Sequence, residues 1–250
     1  MHIRVHSALM DQEKVITLPR LYTDQNLKEG LAIPLDRKQA HYLGNVLRLQ
    51  DGASIRLFNG QNGEWLATLE APSKKNFAAA PVRQIKAQPS GTSQIHLLFA
   101  PIKKHRMDIL IEKSVELGVT DLHPVLTGRT EIRKLNTERL HTQIIESAEQ
   151  CERLEIPALH PLEKLDQKLA RWNKSQKILW GDERGNGTSL GHISEESWAF
   201  LIGPVGGFTA EEAERFRALP FIQPISLGPQ IYRVETAAIL CLSRTLLCEA

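Results

Sequence analysis

Long hydrophobic runs and cysteines are both scarce in this chain of 250 residues. No apolar stretch approaches the roughly 18–20 residues that a membrane-spanning helix needs. The first twenty residues also lack the continuous apolar core and the small-residue cleavage site of a secretory signal. Three scattered cysteines, Cys151, Cys241 and Cys248, do not make a disulfide framework. We therefore expect a cytoplasmic protein with free, buried or half-buried thiols.

Several motifs of common enzyme classes are absent as well. The chain contains no G-x-G-x-x-G, no Walker loop and no G-x-S-x-G nucleophile elbow. No group of His and Cys has the spacing of a zinc site, and His2 and His6, four residues apart, lie close to the terminus. These absences argue against dinucleotide-dependent oxidoreductases, P-loop NTPases, α/β-hydrolases and metalloenzymes, and we expect no metal.

The charge and the β-strand pattern separate an N-terminal part from the rest of the chain. Residues 1–90 carry 12 Lys and Arg against 8 Asp and Glu, so this part is mildly basic, which is compatible with nucleic acid. Alternating strands flank a turn at 59–63, and a further strand covers 77–85. We assign 1–17 to an extension, 18–87 to a small β-barrel, 88–93 to a linker and 94–250 to a second domain.

In the second domain, strand-like and helix-like segments alternate, which favours a mostly parallel sheet. The pattern predicts strands at 95–100, 121–126 and 177–180, and helices over 104–117, 136–153 and 234–248. The last of these helices is apolar on more than one face. A helix of this kind needs burial on several sides, and a partner subunit can supply one of them.

Two glycine-containing segments near the C-terminus are the most informative feature. The first is Leu201 to Phe208, followed by Thr209 and Glu212 in a capping-box spacing; the second is Ser226 to Ala238. Each segment predicts a buried strand, a loop and the start of a helix. Loops that follow strands and open helices commonly build small-molecule pockets. We therefore expect the two loops to line one pocket.

These two segments resemble the RsmE family of the SPOUT superfamily, which methylates N3 of a uridine in 16S ribosomal RNA of the small subunit. Four other segments match the family along the chain: Pro19–Tyr22, His41–Arg48, Ile111–Gly118 and Ala148–Arg153 with Ile156-Pro157. The resemblance implies an α/β protein with a PUA-like RNA-binding β-barrel and a SPOUT domain that ends in a trefoil knot. It also implies S-adenosylmethionine (AdoMet) as cofactor and a homodimer.

The resemblance also implies site residues. Glycine loops allow close approach of the backbone to a cofactor, so the expected cofactor-binding residues are Ile202, Gly203, Gly206, Gly207, Leu227, Gly228, Ile231, Thr236 and Ala237. An arginine suits a developing charge on uracil, so the expected catalytic residues are Arg233 and Glu235. The expected RNA-binding residues are Arg20, Tyr22, His41, Arg48, Lys103, Lys104 and Arg106.

Two departures from the family leave alternatives open. The family usually has Glu where this chain has Val205, and Arg where this chain has Gln230. The glycine loops could be no more than tight turns, Arg233 and Glu235 could be an ion pair that caps the last helix, and Thr236 could be the N-cap of that helix. The rival functions are an RNA-binding protein that no longer catalyses and a SPOUT methyltransferase with another RNA target.

Overall fold

The computed structural model describes residues 12–73, 76–91, 93–182, 187–192 and 198–246. The chain divides into two compact units, the first comprising residues up to Ser90 together with Glu152–Glu155 and the second comprising Gly91–Cys151 and the residues from Ile156 onward. The division falls inside the expected linker, but no sequence signal predicts that 152–155 pack with the first unit. None of the helices in the described part of the chain is long and apolar enough to cross a membrane.

The first unit is built on a curled, mostly antiparallel sheet of five strands. The strands are β1 (Arg20–Tyr22), β2 (Ile33–Pro34), β3 (Ser54–Phe58), β4 (Glu64–Ser73) and β5 (Asn76–Lys86), in the order β1-β3-β4-β5-β2. The helical segments are α1 (Gln12–Ile16), α2 (Arg37–His41) and a π-helix over Tyr42–Val46. Helix α1 lies in the segment 1–17, which was assigned to an extension.

The hairpin of β3 and β4 pairs as predicted, from Ser54 opposite Thr68 to Phe58 opposite Glu64. Its turn depends on Gly63, which has a φ of 72°. A Cβ atom on this residue would lie 2.2 Å from the carbonyl oxygen of Lys86, so only glycine fits there. The apolar side chains of the sheet, among them Leu43, Ile55 and Leu57, form the core of this unit.

A buried cluster of charges holds the first unit together at β1, β3 and β4. Arg20 Nε donates to Glu64 Oε1 at 2.8 Å, and Arg56 Nη1 lies 3.4 Å from the same oxygen. Arg20 Nη2 also donates to the carbonyl oxygen of Arg153, and Arg56 contacts the carboxylate of Glu152. Arg20, Arg56 and Glu64 are 7%, 5% and 3% exposed. Because both cations need Glu64, this carboxylate is the centre of the cluster.

The second unit has a parallel sheet flanked by helices. Its strands are β6 (Ile95–Phe99), β7 (Asp121–Leu126), β8 (Ala158–Leu159), β9 (Glu163–Lys164), β10 (Ile178–Gly181), β11 (Thr188–Ser189), β12 (Trp198–Ile202) and β13 (Ile222–Ser226). Their order is β11-β13-β10-β12-β6-β7-β8, with β9 also paired to β7. The helices are α3 (Lys104–Glu116), α4 (Thr137–Gln150), α5 (Leu165–Ala170), α6 (Ala210–Arg217) and α7 (Val234–Leu246). The expected α/β class is confirmed, whereas the knot stays a prediction.

Some predicted boundaries were wrong for identifiable reasons. Helix α4 ends at Gln150 rather than 153, since Glu152 takes a positive φ of 59° that an α-helix does not allow. Helix α5 was missed because it has only six residues. Of the thiols, Cys241 is buried, which raises its pKa, whereas Cys151 is exposed, against expectation. Parts of predicted elements that fall on 1–11, 183–186 and 247–250 lie outside the described residues.

The charge cluster generates a stability prediction. Glu64→Gln removes the carboxylate from two buried guanidinium groups, and breaking a buried ion pair in this way typically costs about 3–5 kcal/mol. We expect the free energy of unfolding, measured by urea denaturation, to fall by about 3–5 kcal/mol in this variant. Glu70→Gln, an exposed change on the same strand, is the matched control. Equal stability of the Glu64→Gln variant and the control would contradict the central role of Glu64.

Candidate functional site: a cavity between two loops

The candidate site lies at the carboxyl edge of the parallel sheet in the second unit. Strand β10 pairs in parallel with β12 on one side and with β13 on the other. The chain leaves β12 into the loop Gly203–Phe208, which we call the first loop, and leaves β13 into Leu227–Arg233, the second loop. Because the three strands run in parallel, both loops emerge at one edge. They enclose a cavity of about 740 Å³, counting the part open to solvent.

Most of the expected cofactor-binding residues line this cavity. Seven of the nine do so: Ile202, Gly203, Gly207, Leu227, Gly228, Ile231 and Ala237. Gly206 and Thr236 are not among the lining residues. Gly206 lies beside Arg129, whose Nη1 donates to its carbonyl oxygen at 2.7 Å. Thr236 is in the first turn of α7, which begins at Val234, so the N-cap assignment for Thr236 was wrong.

The first loop is fixed at both of its ends. At its start, a Cβ atom on Gly203 would lie 2.8 Å from the ring of Phe208, so the loop can close over that ring only because position 203 is glycine. At its end, Thr209 and Glu212 form the predicted capping box of α6. The Glu212 carboxylate also accepts a hydrogen bond from the Gly128 backbone at 2.7 Å. The capping residue thereby ties the loop to the segment after β7.

The floor of the cavity is formed by residues that the sequence motifs did not predict. The end of β10 contributes Trp180, Gly181 and Asp182 to the lining. Trp180 Nε1 is buried with no hydrogen-bond partner among the described residues. Asp182 is 6% exposed, and its Oδ2 accepts from Arg217 Nη2 at 3.2 Å. The available signal was the rule that ligands bind at the carboxyl ends of parallel strands, since the sequence did predict a strand over 177–180.

A second cavity, of about 580 Å³, lies on the other side of the first loop. Its lining carries three cationic side chains and one anionic one, Lys103, Arg106, Arg129 and Glu131, beside Val205. Pro204 lines both cavities, so a single loop separates them. Val205 is 65% exposed, which is high for an apolar side chain. Lys104 is exposed at the start of α3 but does not line this cavity.

Of the two expected catalytic residues, Glu235 is buried and Arg233 is exposed. Glu235 is 7% exposed, and its Oε1 lies 3.7 Å from Arg106 Nε. Its other oxygen, Oε2, is buried without a partner among the described residues. Arg233 is exposed at the end of the second loop, and its carbonyl oxygen accepts from Ala237 N at 2.8 Å. The acid therefore pairs with Arg106, and the suggested ion pair of Glu235 with Arg233 was wrong.

The RNA-binding residues expected in the first unit fall into two groups. Arg20 is buried against Glu64, and Tyr22 packs edge-on against Phe58, so both have structural contacts. His41 and Arg48 are exposed on either side of the π-helix, and Arg48 has a positive φ of 56°. Between them, Tyr42 is 41% and Val46 58% exposed. The expected RNA contact at Arg20 does not fit its burial, whereas His41 and Arg48 are accessible.

Family models match both units of the chain. A model described as an RNA methyltransferase domain matches residues 89–246, and one described as an RNA methyltransferase PUA domain matches 35–81. The family models, together with the α/β fold, thus identify the chain as an enzyme of the RNA methyltransferase class.

Relatives identify the family within this class. Ribosomal RNA small subunit methyltransferase E of Rickettsia conorii is 32% identical over 229 residues, covering 90% of this chain and 93% of the relative. The enzyme of that name from Neisseria gonorrhoeae, solved with bound S-adenosyl methionine, is 29% identical with a TM-score of 0.82, covering 92% of this chain and 97% of that one. A putative methyltransferase from Legionella pneumophila in complex with the cofactor SAM is 31% identical with a TM-score of 0.81, covering 90% and 96%. The chain belongs to the family of ribosomal RNA small subunit methyltransferase E.

The first loop generates a prediction about its two glycines. Gly203→Ala forces a methyl group against the buried Phe208 ring, and overpacking of this kind typically costs about 1–3 kcal/mol. In Gly206→Ala the nearest atom is the Arg129 Cδ at 3.6 Å, an ordinary contact. We expect chemical denaturation to show a clear loss of stability for Gly203→Ala and little change for Gly206→Ala. A larger loss of stability for Gly206→Ala than for Gly203→Ala would contradict the inference that contact with the Phe208 ring requires glycine at position 203.

Proposed function

We propose that this protein methylates N3 of a uridine in 16S ribosomal RNA, with AdoMet bound in the cavity between the first and second loops. The observation that carries the proposal is the cavity itself, which brings together seven of the residues expected from the family motifs. The chain also belongs to a family whose relatives are named for small-subunit ribosomal RNA, and solved relatives contain bound SAM. Both facts support methylation of 16S ribosomal RNA with AdoMet as the cofactor.

The residues of the cavity fit a cofactor with an adenosine portion. The lining combines apolar side chains such as Ile202 and Leu227 with glycines that expose their backbone. A cavity of this composition and size is typical of sites for nucleoside-sized ligands. The unpartnered indole nitrogen of Trp180 and the buried carboxylate of Asp182 add polar groups at its floor. Gly228, with a φ of 128°, lets the second loop pass close to the ligand.

We place the RNA acceptor on the far side of the first loop, in the second cavity. AdoMet, when bound, would supply a methyl group on a sulfonium; a deprotonated uridine N3 would form its bond to this methyl as the carbon–sulfur bond breaks, and the neutral thioether S-adenosylhomocysteine would leave. Lys103, Arg106 and Arg129 offer positive charge to phosphate or to the uracil anion there. The reacting atoms must meet directly, so the base has to reach the cofactor past Pro204, the residue that lines both cavities. Holding the two reactants in contact there contributes through positioning, which can supply several kcal/mol.

Arg233 and Glu235 keep the roles proposed from the family resemblance. Arg233 is exposed and has no side-chain partner in the described part of the chain, so it is free to stabilise the uracil anion. Glu235 keeps an unpartnered oxygen, Oε2, but this atom is buried and the residue lines neither cavity, so in this proposal the proton of N3 reaches it through water. Arg106, 3.7 Å from the other oxygen, orients this carboxylate.

We assign the first unit to RNA affinity rather than to chemistry. His41 and Arg48 can contact phosphates, and the exposed ring of Tyr42 between them suits stacking on an unpaired base. The small subunit is the expected context of the target RNA. The homodimer also stays a proposal: Ile231 is 82% exposed and Leu246 46%, which suits burial by a second subunit.

The cofactor assignment predicts a selective loss of binding. Gly228→Trp places an indole in the cavity and strains the positive φ of this residue, so calorimetry should show that AdoMet binding is lost. Lys174→Trp, at an exposed turn away from the cavity, is the control and should bind AdoMet normally. Normal binding by Gly228→Trp would show that the cavity is misassigned.

The acceptor assignment predicts opposite behaviour for two exposed residues. Arg233→Ala should slow methyl transfer to small-subunit RNA by about 10²–10³-fold, the usual cost of losing one preorganised charge-stabilising group. Val205→Glu should change the single-turnover rate by less than about tenfold, or roughly 1.4 kcal/mol of barrier. The reason is that Val205 shapes the second cavity and does not transfer a proton. An inactive protein that Val205→Glu restores would instead support the binding-only reading.

A further inference from the structure

A cluster of three histidines and one aspartate lies at the opposite edge of the sheet in the second unit. His96 is on β6, Asp121 and His123 are on β7, and His160 directly follows β8. His96 pairs with Asp121 across the strands, and His123 is two residues further along β7. Since alternate residues of a strand share a face, these side chains converge on one side of the sheet. Neither cavity described above includes them.

The distances within the cluster are those of a metal site. His96 Nδ1 lies 3.1 Å from His123 Nε2 and 3.7 Å from Asp121 Oδ2. One ligand atom from each of these three residues lies within 4.8 Å of the other two. A tetrahedral zinc ion with bonds of 2.0–2.1 Å separates its ligand atoms by about 3.3 Å. Small adjustments of the side chains would therefore place a divalent ion between them.

The chemistry of the side chains also suits a cation. A neutral imidazole offers a ring nitrogen with a lone pair, and a carboxylate offers negative oxygens. His160 and Thr120 donate hydrogen bonds to the carboxylate of Asp121. Two neutral imidazoles and one carboxylate are ligands that zinc commonly takes.

His160 completes the arrangement as an orienting residue. Its Nε2 donates to Asp121 Oδ1 at 2.7 Å, and its ring stacks on His123 with 4.0 Å between the centroids. Ligating carboxylates are usually fixed by hydrogen bonds of this kind. The side chains of Asp121 and His160 are 21% and 35% exposed, so an ion can reach the cluster from solvent.

His96 Nδ1 and His123 Nε2 are within hydrogen-bonding distance of each other, and a bound ion would replace this hydrogen bond. His96 Nε2 and His123 Nδ1 are buried without partners among the described residues. Leaving such groups unsatisfied costs stability. They are the ring nitrogens opposite those that would bind the ion, so the case for the ion rests on the distances within the cluster and not on these atoms. Trp172 packs edge-on against both rings, which keeps them in place.

We propose that His96, Asp121 and His123 bind a divalent transition-metal ion, such as Zn²⁺, that joins β6 to β7 at the edge remote from the methyl-transfer site. The sequence does not predict this site, because its ligands come from two strands separated by a helix. Water or another group takes the fourth position, as in other zinc sites with three protein ligands.

The test is a titration of the metal-free full-length protein with Zn²⁺, in a His2→Ala, His6→Ala background that removes the terminal pair. We expect one equivalent to bind, a rise in melting temperature, and a visible spectrum of tetrahedral form when Co²⁺ replaces Zn²⁺. Asp121→Asn and His123→Ala should each weaken binding at least tenfold. His141→Ala, an exposed histidine on α4, should bind normally.

Two results would overturn the proposal. One is the absence of Zn²⁺ binding by the folded protein. The other is binding that Asp121→Asn and His123→Ala both leave unchanged. If His123→Ala does not fold, Asp121→Asn decides the matter, since it preserves the size of the side chain. Because the titration needs neither AdoMet nor RNA, its outcome is independent of the proposed methyl transfer.

Discussion

The parallel pairing of β10 with both β12 and β13 is the constraint on which the candidate site depends. The hydrogen bonds of this central strand set the distance between the two glycine-containing loops, which are separate in the sequence. They also bring Trp180 and Asp182 between those loops. If β10 did not separate β12 from β13, the loops would meet directly, without the floor that closes the cavity.

The charged groups of the protein serve different purposes in the two units. In the first unit, Glu64 is buried with two arginines, and their contacts join three strands to the segment 152–155. In the second unit, cations around the second cavity remain accessible, and the buried Glu235, which pairs with Arg106, keeps an unpartnered oxygen. Satisfied charges indicate a structural role, whereas accessible or unpartnered ones indicate a site for a ligand.

Local patterns in the sequence predicted the elements that have strong periodicity and clear end signals. Strand β7 has the predicted bounds of 121–126, and the capping box of Thr209 and Glu212 is present. The family motifs led to most residues of the first cavity. Sequence alone could not show that Arg20 is buried, because burial depends on Glu64, which is 44 residues away. It also could not find the histidine cluster, since strand register creates it.

The central claim is the identity of the methylated atom, and mass spectrometry of ribosomal RNA nucleosides tests it most directly. Small-subunit RNA would be compared between cells that contain this protein and cells that lack it. The account predicts N3-methyluridine in 16S ribosomal RNA from the first cells and its loss from the second. The same amount of N3-methyluridine in both, or the loss of a different methylated nucleoside, would contradict it.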